Sequence, residues 1–332
     1  MAYCNHSCPA FTRVLPEIVS CSVFRCYVGC CRRMTTMDSV RWAFRCGSWT
    51  PCPTEWLFAA RCVQSEEKER IGKFVFAKDA KLAMAGRLLM RKLISERMGI
   101  SWDHIHLERT AKGKPFLVNP PSSELHRWNF NVSHQGDFAV LAAEQGWLVG
   151  VDVTKTAMPG SSSVSEFFRI MRRQFTDHEW TTIRASGPEW AQLDTFHRHW
   201  ALKESFIKAT GTGLGFDLQR VEFHISPVQM QEGQVYRGTR MLLDSEEEED
   251  WLFEECLLDE HHHVAVALGR PDSSTGDDDR PAFPCDSPSA FTLLSFSDLV
   301  SGAAPLAEED ASYWESFRRK PEAPSRQSAQ PR

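Results

Sequence analysis

The chain has 332 residues, enough for about two domains at roughly 150 residues each. With 42% hydrophobic and 25% charged residues it has the balance of a globular protein in water, and it lacks the apolar run of about 18 residues that a transmembrane helix needs. A formal net charge of -6 argues against a globally basic nucleic-acid binder. The charge is uneven, because residues 271–332 carry 11 acids and 6 bases while residues 66–114 carry 12 Lys/Arg against 7 Asp/Glu. That basic stretch suits a multiply charged anion, with a solvated basic helix as the plain alternative.

Residues 1–37 hold six of the 11 cysteines without a clean paired CxxC spacing. The other five are scattered, which reads as reduced intracellular thiols rather than a disulfide framework. Arg25 interrupts the best apolar run of this segment, so it reads as an extension outside the fold of a cytosolic protein, a mitochondrial presequence being the alternative. Val40, Trp42, Phe44 and Cys46 then alternate with Arg41, Ala43 and Arg45, which predicts a half-buried strand. Helices are expected over residues 54–63, 66–75 and 78–98, the last with Leu82, Ala85, Leu89 and Leu93 on one face and a stop near Gly99. Short strands at 103–108 and 114–118 flank a Lys-Gly-Lys turn. Strands follow around Trp128, Phe130 and Val132, over 138–142, and over 148–153 with Asp152 near the C-terminal end.

Beyond that point the pattern turns helical. A helix is expected over 166–175, Thr176 and Glu179 form a capping box for the next, and Pro188 opens a long helix that runs to Thr210 and stops at Gly211. Strands return at 219–226, 236–243, 250–257 and 263–268. The chain thus divides into the extension 1–37, two α/β blocks over 38–148 and 149–270, and a largely irregular acidic tail over 271–332.

Several clusters could carry chemistry. Arg109-Thr110-Ala111-Lys112-Gly113-Lys114 places three cations and a glycine in a tight turn whose side chains and backbone N–H groups suit phosphate oxygens, or it is an ordinary basic hairpin. In Asn131-Val132-Ser133-His134 the adjacent Ser133 and His134 point to opposite faces of a strand, so a nucleophilic dyad is disfavoured and His134 fits better as an anion donor. Glu204 and Lys208 share a helical face at i,i+4, able to set a metal-binding carboxylate beside a phosphate-binding ammonium. Gly211-Thr212-Gly213-Leu214-Gly215 follows a helix and precedes a strand, the reverse of a dinucleotide loop. The run His261–His263 reads as a strand entrance rather than a metal tract.

Taken in order, Gly113-Lys114-Pro115, Asn131-Val132-Ser133-His134, Gly150-Val151-Asp152 and Trp200-x-x-Lys203-Glu204-x-x-x-Lys208-Ala209-x-Gly211 resemble the Sfp-type 4′-phosphopantetheinyl transferases over roughly residues 38–270. The resemblance implies an α+β pseudo-dimer of two similar α/β subdomains with the active site in the cleft between them. It implies a monomeric, Mg²⁺-dependent transferase that moves 4′-phosphopantetheine from coenzyme A to a serine of an apo acyl or peptidyl carrier protein, releasing adenosine 3′,5′-bisphosphate. The implied acceptors are carrier domains of the fatty acid synthase, aminoadipate-semialdehyde dehydrogenase and mitochondrial types, with neither nucleic acid nor membrane as partner.

By the same resemblance Arg70, Arg109, Thr110, Ala111, Lys112, Gly113, Lys114, Asn131, Val132, Ser133 and His134 contact the nucleotide and phosphates. Asp152 and Glu204 hold Mg²⁺ on the pyrophosphate, Lys208 contacts the phosphate under attack, and Glu204 is the candidate base. Relatives often carry Asp-x-Glu where this chain has Asp152-Val153-Thr154, so a water is expected in place of the third carboxylate. A coenzyme A-binding module without turnover is the alternative; retention of Asp152, Glu204 and Lys208 together argues against it, since binding needs only the basic residues.

Overall fold

The computed structural model describes residues 39–111, 113–118, 128–160, 162–271, 283 and 290–324. The extension expected over 1–37 and Lys112 lie outside the described residues. In chain order the first elements are β1 (Val40–Arg45), α1 (Pro53–Arg61), α2 (Ser65–Gly72), α3 (Ala77–Met98), β2 (Leu107–Arg109), β3 (Pro115–Leu117), β4 (Trp128–Gln135), β5 (Phe138–Gln145) and β6 (Leu148–Lys155). They are followed by α4 (Val164–Ile170), α5 (Asp177–Ala185), α6 (Glu189–Thr210), β7 (Val221–His224), β8 (Val235–Tyr236), β9 (Arg240–Leu243), β10 (Glu246–Glu247), β11 (Trp251–Asp259), β12 (His262–Gly269), β13 (Thr292–Leu294), α7 (Phe296–Leu299) and α8 (Ala311–Phe317). Two four-stranded sheets run β13-β1-β5-β4 and β6-β12-β11-β8; a smaller sheet runs β10-β9-β7, and β2 pairs with β3. Among the described residues no helix is long and apolar enough to cross a membrane.

Side-chain alternation sorts these elements into layers. Val40, Trp42 and Phe44 of β1 and Ala139, Leu141 and Ala143 of β5 face Leu82, Leu89 and Leu93 of α3. The opposite faces of the same strands, Ala43, Phe138, Val140 and Ala142, meet Val149, Val151 and Val153 of β6 and Val264, Val266 and Leu268 of β12. The far side of the second sheet, through Ala265 and Ala267, receives Ala201, Leu202, Phe206 and Ala209 of α6. Each large sheet is therefore covered on both faces, which is why β5, β6 and β12 read as nearly continuous apolar runs.

β1 departs from its expected half-exposure. Arg41, on what alternation marks as a solvent face, is only 3% exposed. Its guanidinium binds Glu144 of β5 at 2.7 Å and Glu254 of β11 at 2.9 Å, pinning one sheet to the other. Deleting one partner of such a buried pair typically costs about 3–5 kcal/mol, because the other charge is left uncompensated.

The helix expected over 166–175 stops at Ile170 and gives way to a 3₁₀ turn over Arg172–Gln174, whereas the end signals of the next two helices hold. Thr176 and Glu179 form the capping box of α5, and α6 begins after Pro188 and ends at Gly211 with φ 69°. Glu179 also receives Lys203 of α6 at 2.7 Å, with neither side chain exposed, and the Lys203 ammonium donates to the Leu218 and Val221 carbonyls. Lys203 is thus a structural member of its motif, facing away from Glu204.

The tail is more ordered than its composition suggests. β13 adds to β1 in parallel, pairing Trp42 with Thr292, and Phe317 of α8 stacks on Trp56 of α1 with ring centroids 3.7 Å apart. Elements of three to seven residues are too short to show a period, so only the spacing of Tyr313, Trp314 and Phe317 hints at them.

Two predictions follow from this packing. Phe317→Ala should lower unfolding free energy by about 3 kcal/mol, measured by urea denaturation, because it empties a buried aromatic site; an unchanged midpoint would show that the tail is dispensable. The second concerns His197 and His199 of α6, where burial is the main cause holding each imidazole down to about 4. An unfolded histidine titrates near about 6.5, so the unfolded state binds protons first. The stability contribution is complete above about pH 6.5 and is lost as pH falls towards about 4. His199→Gln should flatten the fall in urea midpoint between about pH 6.5 and 5, a range in which ordinary carboxylates contribute little.

Candidate active site

The site is built where the edge strands of the two large sheets, β4 and β6, lie side by side. Alternate side chains of β4 reach across to β6 and its approach. Asn129 Nδ2 donates to the Trp147 carbonyl at 2.7 Å, and Asn131 Oδ1 accepts the Val151 N–H at 3.0 Å. Ser133 Oγ donates to Asp152 Oδ1 at 2.8 Å, and Gln135 Oε1 accepts the Lys155 N–H at 2.7 Å. Val132 and His134, on the other face, turn towards Gly86 of α3. Ser133 and His134 therefore diverge, as the adjacency argument requires.

Asp152 sits in mid-strand, not at a strand end as expected, because β6 runs on to Lys155. Its neighbour Gly150 sets the distance to α6. A Cβ built on Gly150 would lie 1.9 Å from the Ser205 carbonyl oxygen and 2.5 Å from the Ala209 nitrogen, so only glycine admits this approach of backbone to backbone. Lys208 is thereby delivered onto β6, with Nζ 2.5 Å from Asp152 Oδ1, 2.8 Å from Ser133 Oγ and 3.3 Å from the Val151 carbonyl.

Glu204, one turn earlier on α6, is half-buried and makes no hydrogen bond or ion pair among the described residues. Burial pushes its carboxyl pKa up, the nearby Asp152 charge adds to the rise, and Lys208 opposes it. Two carboxylates with one ammonium leave net negative charge, and an all-oxygen set of this kind fits a hard divalent cation such as Mg²⁺. Thr154 does not belong to this set. It is fully buried and its hydroxyl donates to the His197 carbonyl of α6 at 3.1 Å, so Thr154 itself serves as a strand-to-helix tie.

Beside these groups opens a cleft of about 720 Å³. Arg70, Arg109, Thr110, Ala111, Gly113, Lys114, Asn131, Val132, Ser133, His134 and Lys208 all line it, so the structure gathers most of the residues singled out in the sequence. Arg87 of α3 joins them. Glu67 of α2, which no motif marks, receives Arg70 Nε at 2.8 Å, Arg87 Nε at 3.1 Å and Arg109 Nε at 3.1 Å. Only its i,i+3 spacing to Arg70 is visible in the sequence; the other two arginines come from distant elements. One carboxylate thus holds three guanidinium groups side by side on the cleft wall.

The β2–β3 turn differs from expectation in how it can bind an anion. The Thr110 and Gly113 N–H groups donate to Lys114 and Thr110 carbonyls at 2.8 Å each, and the Lys114 N–H donates to Thr110 Oγ1 at 3.1 Å. Those three amides are consumed within the turn, so an anion there would meet its side chains and the remaining backbone N–H groups. Lys114 Nζ reaches the Lys208 carbonyl in the last turn of α6 at 3.2 Å, where the helix dipole favours a cation. His134 is exposed on the cleft wall; neighbouring protein removes part of its hydration, and the cations Lys208 and Arg70 add to the effect. Its pKa falls below the usual histidine value, so it offers a neutral N–H donor at neutral pH.

Gly150→Ala should push α6 away from β6, costing at least about 1–3 kcal/mol in urea unfolding. Where the variant remains folded, it should lose the activity that depends on Asp152 and Lys208 being in contact. Near-native stability and activity would show that α6 tolerates the added methyl and that this close approach is not required.

The sequence model described as "4′-phosphopantetheinyl transferase, N-terminal" matches residues 47–146, and that of the "4′-phosphopantetheinyl transferase superfamily" matches residues 148–267. The L-aminoadipate-semialdehyde dehydrogenase-phosphopantetheinyl transferase of Xenopus laevis is 60% identical over 291 residues, covering 88% of this chain and 95% of its own. The Homo sapiens protein of the same name is 56% identical over 297 residues, covering 88% and 94%. A 4′-phosphopantetheinyl transferase of Bacillus subtilis is 30% identical over 156 residues, 47% of this chain and 63% of its own. With both halves matched and vertebrate relatives aligned over most of its length, the chain belongs to the 4′-phosphopantetheinyl transferase family, which moves 4′-phosphopantetheine from coenzyme A to a serine of a carrier protein.

Proposed function

We propose that the transfer takes place in the cleft beside β4, β6 and α6, with Asp152 and Glu204 holding Mg²⁺ and the basic wall holding the nucleotide phosphates. The observation that carries this reading is that Lys208, which lines the cleft with Arg70, Arg87, Arg109 and Lys114, is bonded to Asp152 and interacts electrostatically with Glu204. We read the fold as a monomeric pseudo-dimer of subdomains 38–148 and 149–270. A helix on three antiparallel strands in each half, α3 on β1-β5-β4 and α6 on β6-β12-β11, supports that reading. The names of the vertebrate relatives support an aminoadipate-semialdehyde dehydrogenase type of carrier as one acceptor; carriers of the fatty acid synthase and mitochondrial types are further acceptors to test.

In the reaction the acceptor serine oxygen forms a bond to the pantetheine-side phosphorus of coenzyme A. The bond from that phosphorus to the bridging oxygen breaks, and adenosine 3′,5′-bisphosphate leaves. The arginines, aligned by Glu67, and Lys114 attract and orient the phosphates. His134 donates a hydrogen bond without adding charge. Glu204, which no hydrogen bond or ion pair engages among the described residues, is placed to accept the serine proton as it leaves. Lys208 exchanges its contact with Asp152 for the phosphate under attack, where negative charge gathers. Mg²⁺, when bound, neutralises charge on the pyrophosphate oxygens.

Incubation with apo-carrier, coenzyme A and Mg²⁺, followed by intact mass of the carrier, tests these roles. Asp152→Ala and Glu204→Gln should each cut transfer at least about 100-fold. Lys208→Ala should lower kcat more than coenzyme A affinity. Thr154→Ala should retain most transfer and lose about 1 kcal/mol of stability with its hydrogen bond. Full transfer by Asp152→Ala would contradict the assignment, and coenzyme A binding with no mass gain on any carrier would favour a binding module.

A further inference from the structure

Away from the cleft, α5 and β7 bring together three side chains with metal-ligand chemistry. On β7, Val221 and Phe223 are buried, so the period of two places Glu222 and His224 together on the other, half-exposed face. Thr176 caps α5, and the first turn of that helix sets His178 over this face. The His178 and His224 rings are nearly parallel, with an interplanar angle of 14° and centroids 4.2 Å apart. One ligand atom from each of His178, Glu222 and His224 lies within 4.8 Å of the others.

We propose that His178, Glu222 and His224 bind one divalent transition-metal ion of the Zn²⁺ class, bracing the junction between α5 and β7. Two imidazole nitrogens and one carboxylate oxygen suit borderline ions such as Zn²⁺, whereas Mg²⁺ and Ca²⁺ favour all-oxygen sets. The carboxylate is already oriented, since Thr176 Oγ1 donates to Glu222 Oε2 at 2.6 Å while His224 Nε2 lies 2.9 Å from Oε1. The ion would take the place of the hydrogen bond between His224 Nε2 and Glu222 Oε1, with the imidazole proton carried on Nδ1. Thr176 stays on the other oxygen, the outer hydrogen bond that ligating carboxylates usually have. Partial burial works to raise the Glu222 pKa, but the Thr176 and His224 hydrogen bonds and the His178 ring outweigh it and keep the carboxylate anionic. The same junction carries the Phe223 N–H bond to Glu179 at 3.0 Å, and Glu179 in turn supports α6 through Lys203.

The test uses the full chain with ZnCl₂ titrated against a chromophoric chelator, in the native protein, His178→Ala and His224→Ala. Zinc taken up by cysteines or by Asp152 and Glu204 is common to all three, so the difference reports this site alone. His178→Ala is the clean variant, because its side chain makes no hydrogen bond among the described residues. The native chain should bind one more equivalent of Zn²⁺ than either variant, or the same equivalent at least about tenfold more tightly. Zn²⁺ should raise its melting temperature more than that of His178→Ala, and Mg²⁺ should produce no such difference. Equal stoichiometry, affinity and thermal response in all three proteins would overturn the proposal.

Discussion

The structure turns on the seam between β4 and β6, where two sheet edges meet through side chains instead of a backbone ladder. Edge strands expose unpaired backbone groups and are ordinarily a liability. Here Asn129, Asn131 and Gln135 satisfy backbone groups of the facing segment, and Ser133 satisfies Asp152. The same bonds fix the register of one sheet edge against the other. That register decides which β6 residue faces Ser133, and Gly150 decides how closely α6 can approach. A one-residue slip would turn Asp152 to the opposite face and separate it from Lys208.

Charge follows from this geometry. Asp152, Glu204 and Lys208 form an acidic centre with one ammonium, while the facing wall is cationic and is organised by Glu67. The acidic side suits a divalent cation and the basic side suits phosphates, so a pyrophosphate bridging them would complete the balance. Glu67 and Lys203 are both engaged with other side chains of the protein. One aligns guanidinium groups and the other anchors α6 to α5, so each acts by holding groups that face the cleft.

Much of this was legible in the sequence, because it is local. The capping box at Thr176, the stop at Gly211, the alternation that separates Ser133 from His134 and the i,i+4 spacing of Glu204 and Lys208 all depend on near neighbours. What the sequence hid is long-range. Arg41 looks solvent-facing until Glu144 and Glu254 arrive from other strands. Thr154 looks like a vacant ligand position until α6 supplies the His197 carbonyl. Glu67 becomes a hub only when α3 and the β2–β3 turn bring Arg87 and Arg109 to it. The cationic character of the turn is plain in its residues, whereas the bonds that its Thr110, Gly113 and Lys114 amides make within it appear only in the fold.

The most direct test is a crystal structure of the full chain with coenzyme A and Mg²⁺. The account predicts the ion on the carboxylates of Asp152 and Glu204, the Lys208 ammonium moved from Asp152 to a phosphate oxygen, and Thr154 still bonded to the His197 carbonyl. An ion held without Asp152 or Glu204, or a pyrophosphate bound away from Lys208 while the Lys208–Asp152 pair stays closed, would contradict it.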